Sequence, residues 1–183
     1  MTRRSRIEND QPQVRPLQEL RELARQGASS IDVPAVLLAE FRGAVTQARE
    51  FRTSTFSDTP PPIPSLSAAT AEAGTRVAML EKSGRNPYDG FLFLGRASTC
   101  DVIIRDASIS KTHAVIEPAP DGWYIRDNRS RNGTFKNQLR LKDGERVPLA
   151  SGDLIVLGSY PLYFLLSTDL FRLLQVMSRP PRP

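Results

Sequence analysis

Three short segments of the chain combine cations, a hydroxyl and an amide in a way that suits the binding of a phosphate group. Arg96 follows Gly95 at the end of an apolar stretch, Ser110 and Lys111 begin the sequence SKTH, and Asn132 lies in the sequence SRNGTF. A guanidinium stays charged and presents several donors in a planar fork, and a serine hydroxyl can donate to a phosphate oxygen. These residue types therefore predict a site for an anion.

His113 stands three residues after Ser110 and is the only histidine in the chain. Nucleophilic catalysis by a serine and a histidine needs a third group that orients the imidazole. No recognisable motif places an aspartate for that purpose, and no metal-ligand cluster or phosphate-cradling loop occurs. We therefore predict that His113 has a structural role, that the protein is not an enzyme, and that it needs no cofactor or metal.

Short runs of β-branched and aromatic residues, separated by turn signals such as Asp89-Gly90 and Asn132-Gly133, occupy the second half of the chain. Regularly spaced short strands with such turns indicate a β-sandwich. The predicted strands are Val77–Glu81, Phe91–Leu94, Val102–Ile104, Ala114–Glu117, Trp123–Arg126, Leu154–Leu157 and Leu162–Leu166.

The order of these motifs and strands resembles that of a forkhead-associated (FHA) domain over about residues 76–168. The resemblance implies an all-β fold, a sandwich of two twisted sheets with about eleven strands. It also implies a function: binding of phosphothreonine in a partner protein that a Ser/Thr kinase has modified, as an adaptor in signalling.

The resemblance implies a role for each site residue. By this resemblance, the phosphate would be bound by Arg96, Ser110 and Lys111, and the main chain of the peptide would be bound by Asn132. Arg131 stands where the family more often has Thr or Ser, so we expect it to add a cation beside the phosphate or to meet an acidic peptide residue. Ser108 occupies a loop position that influences peptide selection, and its small side chain gives no charge preference. The implied structural loop residues are Gly95, His113 and Gly133.

In the first half of the chain, apolar residues recur at a spacing typical of helices. Leu17, Leu20, Leu23 and Ala24 recur at helical spacing between Pro16 and Gly27, which predicts a first helix. A second apolar stripe predicts a helix from about Asp32 to Arg52, with the members Leu37, Phe41, Val45, Ala48 and Phe51. Such a stripe must pack against the first helix, the sandwich or a second molecule, and we favour self-association or another protein.

The resulting domain prediction has five parts. They are a disordered tail at 1–15, two helices in 16–52, a Pro/Ser/Thr/Ala-rich linker at 53–75, the sandwich at 76–168, and a short C-terminal helix with a Pro/Arg tail at 169–183.

Charge and composition leave two alternative functions open. The formal net charge is +5, and residues 76–168 hold thirteen basic and ten acidic residues. One alternative is a phosphate-independent scaffold that its N-terminal helices assemble; the other is a nucleic-acid binder, which lacks a basic stripe interleaved with aromatic residues. No apolar run is long enough for a transmembrane helix, and there is a single cysteine. Together with the arginine-rich composition and the lack of a recognisable organelle signal, these features lead us to predict a cytoplasmic, bacterial protein without membrane contact.

Overall fold

The computed structural model describes residues 6–7, 14–28, 31–39 and 75–177. Within them lie thirteen strands and two helices. The strands are β1 (Arg6–Ile7), β2 (Val14–Pro16), β3 (Ala35–Ala39), β4 (Arg76–Met79), β5 (Leu92–Gly95), β6 (Val102–Arg105), β7 (Ala114–Ala119), β8 (Gly122–Asp127), β9 (Thr134–Lys136), β10 (Leu139–Arg140), β11 (Val147–Leu149), β12 (Leu154–Leu157) and β13 (Tyr160–Leu166). The helices are α1 (Leu17–Arg25) and α2 (Ser167–Met177).

The strands form two sheets. The six-stranded sheet has the order β1-β6-β5-β7-β8-β11, and the seven-stranded sheet has the order β10-β9-β12-β13-β3-β4-β2. Strands β5 and β6 pair in parallel, and the other neighbours pair antiparallel. The predicted all-β sandwich, with an N-terminal and a C-terminal helix, is confirmed.

Two apolar cores divide the molecule into three layers. The first lies between the sheets, where Leu94 and Ile116 of one sheet and Leu37 and Phe164 of the other belong to the same buried cluster. The second lies on the outer face of the seven-stranded sheet and joins residues such as Leu38 to both helices. The seven-stranded sheet is thus covered on both faces, and its central strands must be apolar on both sides.

Strand β3 replaces the second predicted helix, so that prediction is wrong for residues 35–39. All five residues of β3 are fully buried, with Leu37 in the core between the sheets and Leu38 in the core beneath the helices. A short continuous apolar run fits a strand buried on both faces as well as it fits a buried helix, and periodicity alone does not separate the two. The other members of the stripe, Phe41, Val45, Ala48 and Phe51, lie outside the described residues.

The sandwich also extends beyond its predicted boundary at residue 76. β3 lies between β13 and β4, β2 pairs with β4, and β1 pairs with β6. Strands therefore occur in the tail predicted to be disordered and in the region predicted to be wholly helical. Because Leu37 packs inside the chain, it is not available for the self-association that we expected of it. The predicted linker lies outside the described residues except for Thr75.

Both observed helices agree with sequence predictions. Pro16 is the N-cap residue of α1, and Gly27, just past its end, has a φ of 95° that favours glycine. Helix α2 buries Leu170, Phe171 and Leu174 and packs against α1. Neither described helix combines the length and apolarity needed to span a bilayer.

Each of the seven predicted strands matches an observed strand to within two residues at either end. The strands that the sequence did not predict are β3 and the short strands β1, β2, β9, β10 and β11, each of two or three residues. Two or three residues carry too little alternation to be recognised.

We predict that Leu37→Ala lowers the free energy of unfolding by about 2–5 kcal/mol, because it opens a cavity between the sheets. Leu139→Ala is the matched control, since that side chain is 75% exposed, and we expect a change within about 0.5 kcal/mol. Urea unfolding of the full chain measures both values. Equal stability of Leu37→Ala and the unsubstituted protein would contradict the central position of β3.

Candidate functional site

Three loops meet at one end of the sandwich. They follow β5 (residues 96–101), precede β7 (residues 106–113) and follow β8 (residues 128–133). The pairing of Leu94 with Ala114 and of Ala114 with Asp127 sets the ends of the three strands side by side. The turn at Gly158-Ser159, between β12 and β13, reaches the same end from the other sheet.

Ser110 contacts all three loops. Its carbonyl oxygen accepts a hydrogen bond from the main-chain N–H of Arg96 at 3.1 Å, and its Oγ accepts one from the main-chain N–H of Arg131 at 3.0 Å. Its own N–H donates to Nδ1 of His113 at 3.0 Å. A hydroxyl also carries one proton, so the Oγ of Ser110 can still donate to a ligand.

His113 is fully buried beneath these loops. Since Nδ1 accepts from Ser110, Nε2 carries the proton and donates to the carbonyl oxygen of Gly133 at 3.0 Å. The main-chain N–H of His113 donates to the carbonyl oxygen of Leu94 at 2.8 Å. One imidazole therefore links the Ser110 loop to the Asn132-Gly133 turn.

Burial lowers the pKa of His113, and the hydrogen bond to Gly133 and the charge of Asp127 offset this only in part. The imidazole is therefore neutral in the folded protein near neutral pH. Its bond to Ser110 goes to the main-chain N–H and not to the hydroxyl. His113 is thus not placed as a base for a serine nucleophile.

Gly95 allows the β5 end to lie against the loop that carries Lys111. A Cβ at this position would lie 2.2 Å from the carbonyl oxygen of Lys111 and 3.0 Å from Sγ of Cys100. That carbonyl accepts hydrogen bonds from the N–H of Ala97 at 3.0 Å and from the Cys100 thiol at 3.2 Å. The close approach fixes the main chains of Arg96 and Lys111 next to each other.

Asn132 is half-buried, and its Nδ2 donates to the carbonyl oxygen of Ser108 at 2.7 Å. Ser108 is only 4% exposed; its Oγ bonds to Asp106 at 2.5 Å and accepts from the N–H of Ser159 at 3.2 Å. Its side chain therefore faces the interior, and any influence on a peptide would act through the shape of the loop. The influence of Ser108 on peptide selection stays a prediction.

Asp127 is a residue of this region that the sequence reasoning missed. Its buried carboxylate accepts hydrogen bonds from the N–H and the hydroxyl of Ser130 at 2.9 and 2.6 Å, and from the hydroxyl of Thr134 at 2.6 Å. The Oγ of Ser130 accepts in turn from the N–H of Gly133 at 2.9 Å. Aspartate is a residue type favoured in turns, and its position directly after the predicted strand Trp123–Arg126 is the signal that could have identified it.

Gly133 lies at the centre of the Asn-Gly turn with a φ of 81°. A Cβ here would meet the guanidinium of Arg140 at 2.9 Å. The carbonyl oxygen of Gly133 also accepts from the N–H of Gly158 at 2.9 Å, which connects the turn to the opposite sheet.

The predicted cations Arg96, Lys111 and Arg131 are all exposed. Within the parts of the chain that the structure describes, none of them has a carboxylate partner. The structure thus brings their main chains together around Ser110 and leaves their charged groups in solvent. Such an end of the sandwich can attract and bind an anion.

Comparison with known proteins identifies the family of this region: residues 92–158 match the sequence model of the FHA domain. The chain is 40% identical over 75 residues to the ABC transporter ATP-binding/permease protein Rv1747 of Mycobacterium tuberculosis, covering 41% of this chain and 8% of that protein. It is 30% identical over 81 residues to the FHA domain-containing protein FhaB of Mycolicibacterium smegmatis, covering 44% and 47%.

Among solved structures, the FHA-2 domain of the M. tuberculosis transporter Rv1747 is 36% identical, with a TM-score of 0.37, and the match covers 46% of this chain and 72% of that one. The chain spans less than half of the length of each of the two curated relatives named above.

We predict that Gly95→Ala disrupts this end of the sandwich, because the new methyl would collide with the Lys111 carbonyl. The expected loss of stability is about 1–3 kcal/mol, as for other overpacked sites. Gly84→Ala is the control, since its Cβ meets nothing within 4 Å and only the positive φ of 74° is strained. Thermal unfolding of both variants tests this, and a loss for Gly95→Ala no larger than that for Gly84→Ala would contradict it.

We predict that His113 makes the protein less stable as the pH falls below about 6.5. The unfolded state takes up a proton near its ordinary pKa of about 6.5, whereas the folded state resists until its lowered pKa is reached. Between the lowered pKa of the folded state and about 6.5, the unfolded state thus binds more protons than the folded state. The free energy of unfolding therefore rises with pH over this window, and above it His113 adds no further pH dependence.

Urea unfolding at several pH values between 5 and 8 measures how the free energy of unfolding changes with pH. The His113→Gln variant should be less stable than the unsubstituted protein, and its stability should lack this pH dependence. His113 is the only histidine, so no other imidazole contributes. An identical slope in the variant would place the proton uptake elsewhere.

Proposed function

We propose that the FHA domain of this chain binds a phosphothreonine-containing protein, with Arg96, Ser110 and Lys111 as the phosphate ligands. The observation that carries the proposal is the position of Ser110, which hydrogen-bonds to the main chains of Arg96 and Arg131 and to His113. A phosphate dianion with strong acceptor oxygens suits donors that are already in place.

Each side chain has a defined part in this proposal. Arg96 offers a planar fork to two phosphate oxygens, Lys111 adds a second charge, and Ser110 donates its remaining proton. Arg131 adds a third cation through its side chain, since its N–H is already bonded to Ser110. The nitrogen of the Asn132 amide donates to Ser108, so we assign the peptide main-chain contact to its Oδ1.

Phosphorylation acts as the switch because an unmodified threonine lacks the charge that these cations require. A Ser/Thr kinase is thus the class of enzyme that supplies the ligand. Preference for phosphothreonine over phosphoserine is carried over from the family resemblance, which implies a small apolar niche for the threonine methyl group. The protein then acts as an adaptor, and a cytoplasmic location, consistent with the free buried thiol of Cys100, belongs to the proposal.

We predict that Arg96→Ala weakens phosphopeptide binding by about tenfold to a hundredfold, since hydrogen bonds to charged groups contribute about 1.5–3 kcal/mol. Arg172→Ala is the matched control, because that arginine lies on α2 with its side chain 79% exposed and paired with Asp169. Fluorescence anisotropy with a labelled peptide, selected from a phosphothreonine library, measures the affinities of both variants and of the unphosphorylated peptide.

Two outcomes would contradict the proposal in different ways. Retained affinity in a folded Arg96→Ala variant would remove Arg96 from the site. Equal affinity for the phosphorylated and plain peptides would favour the phosphate-independent scaffold instead.

A further inference from the structure

A second concave surface lies beside the candidate site, on the outer face of the six-stranded sheet. Phe93 of β5, Val115 of β7 and Arg126 of β8 are paired in register across three neighbouring strands and form its floor. Tyr88 and Phe91, from the connection between β4 and β5, form one wall. We call this surface the Arg126 pocket.

The Arg126 pocket exposes aromatic surface. Tyr88 is 60% exposed, and its ring centroid lies 5.7 Å from that of Phe93. Phe91 and Phe93 are half-buried. Aromatic and arginine side chains together are the residue types enriched at protein–protein interfaces.

The pocket also contains a cation, Arg126. Asp127 lines the pocket too, but its buried carboxylate already accepts hydrogen bonds from Ser130 and Thr134. The Cζ atom of Arg126 lies 4.9 Å from the ring centroid of Phe91, so its guanidinium packs on the aromatic face. No carboxylate in the described ranges of the chain pairs with Arg126. A stacked guanidinium keeps the N–H groups at its edge, which match a carboxylate in a planar, bidentate geometry.

A second arginine on the same face shows the complete arrangement. Arg146 packs over the ring of Tyr124 at 3.3 Å and also pairs with Glu117 at 3.1 Å. Glu117 and Tyr124 are direct cross-strand partners on the face that carries Val115 and Arg126. The two arginine–aromatic stacks differ in that Arg146 has an acidic partner within the chain and Arg126 has none in the described residues.

The Arg126 pocket lies within reach of a peptide bound at the loops. Asp127, the residue after Arg126, pairs with Ala114, the residue after His113. With strand spacings of about 4.8 Å and a rise of about 3.3 Å per residue, Arg126 is roughly 10–14 Å from Arg96 and Lys111. An extended peptide covers that distance in about three to five residues.

We propose that the Arg126 pocket binds an acidic side chain of the same phosphoprotein ligand, three to five residues from the phosphothreonine. The carboxylate pairs with the edge of the Arg126 guanidinium, and the aliphatic part of the acidic residue packs on Phe93 and Tyr88. The inference rests on the proposed function, and it makes the domain read an acidic position in addition to the phosphate.

The experiment uses the full chain and a peptide library in which a fixed phosphothreonine has five degenerate positions on each side, with the matching threonine library as reference. The unsubstituted protein should enrich Asp and Glu at one position three to five residues from the phosphothreonine. Arg126→Gln should lose that enrichment and keep the phosphate requirement. Arg146→Gln, the matched control, should retain both.

A peptide chosen from the selection then provides a test that does not depend on how well a variant folds. Replacing its acidic residue with Gln should weaken binding to the unsubstituted protein about threefold to fivefold, as for a partly exposed ion pair. The same peptide change should have no effect on Arg126→Gln.

The outcomes separate the two proposals. Selection of phosphothreonine without an acidic preference, or an acidic preference that survives Arg126→Gln, overturns the Arg126 pocket alone. Equal affinity of the protein for the acidic peptide and its Gln counterpart does the same. Failure to prefer the phosphothreonine library over the threonine library overturns the proposed function, and the pocket assignment with it.

Discussion

The hydrogen bonds of one buried neutral imidazole hold the candidate site together. His113 accepts from the main chain of Ser110 on one side and donates to the carbonyl of Gly133 on the other. Both bonds require the tautomer protonated at Nε2, and protonation of Nδ1 would remove the acceptor that Ser110 needs. The imidazole thus joins the loop that carries Ser110 and Lys111 to the Asn132-Gly133 turn, and the main-chain hydrogen bond from Arg96 to Ser110 adds the third loop to this link.

The same site depends on how the two sheets are held relative to each other. Gly158 of the seven-stranded side donates to Gly133, and Ser159 donates to Ser108, so the turn between β12 and β13 supports loops that belong to the other sheet. That turn is positioned by β13, which pairs with β12 and β3. The interior strand β3 therefore contributes to the site without touching a ligand residue.

The sequence was most informative where local chemistry decides the structure. The residue types at Asn132-Gly133 and Gly95 predict tight main-chain geometry. The strands that flank these positions are long enough to be recognised from their residue pattern. It was least informative at β3, because burial of the run at residues 35–39 on both faces comes from α1, α2 and the opposite sheet. The buried position of Ser108 likewise depends on a partner 51 residues away in the chain, Ser159.

The pairing of Ala39 with Arg76 has a consequence for how this chain can vary. The segment between these residues starts and ends at adjacent points of one sheet, so the sheet constrains its ends and not its length. Ala39 also pairs with Leu162, close to the Gly158-Ser159 turn. The sheet thus fixes where the chain leaves β3 and where it enters β4, and both points lie near the loop end of the sandwich.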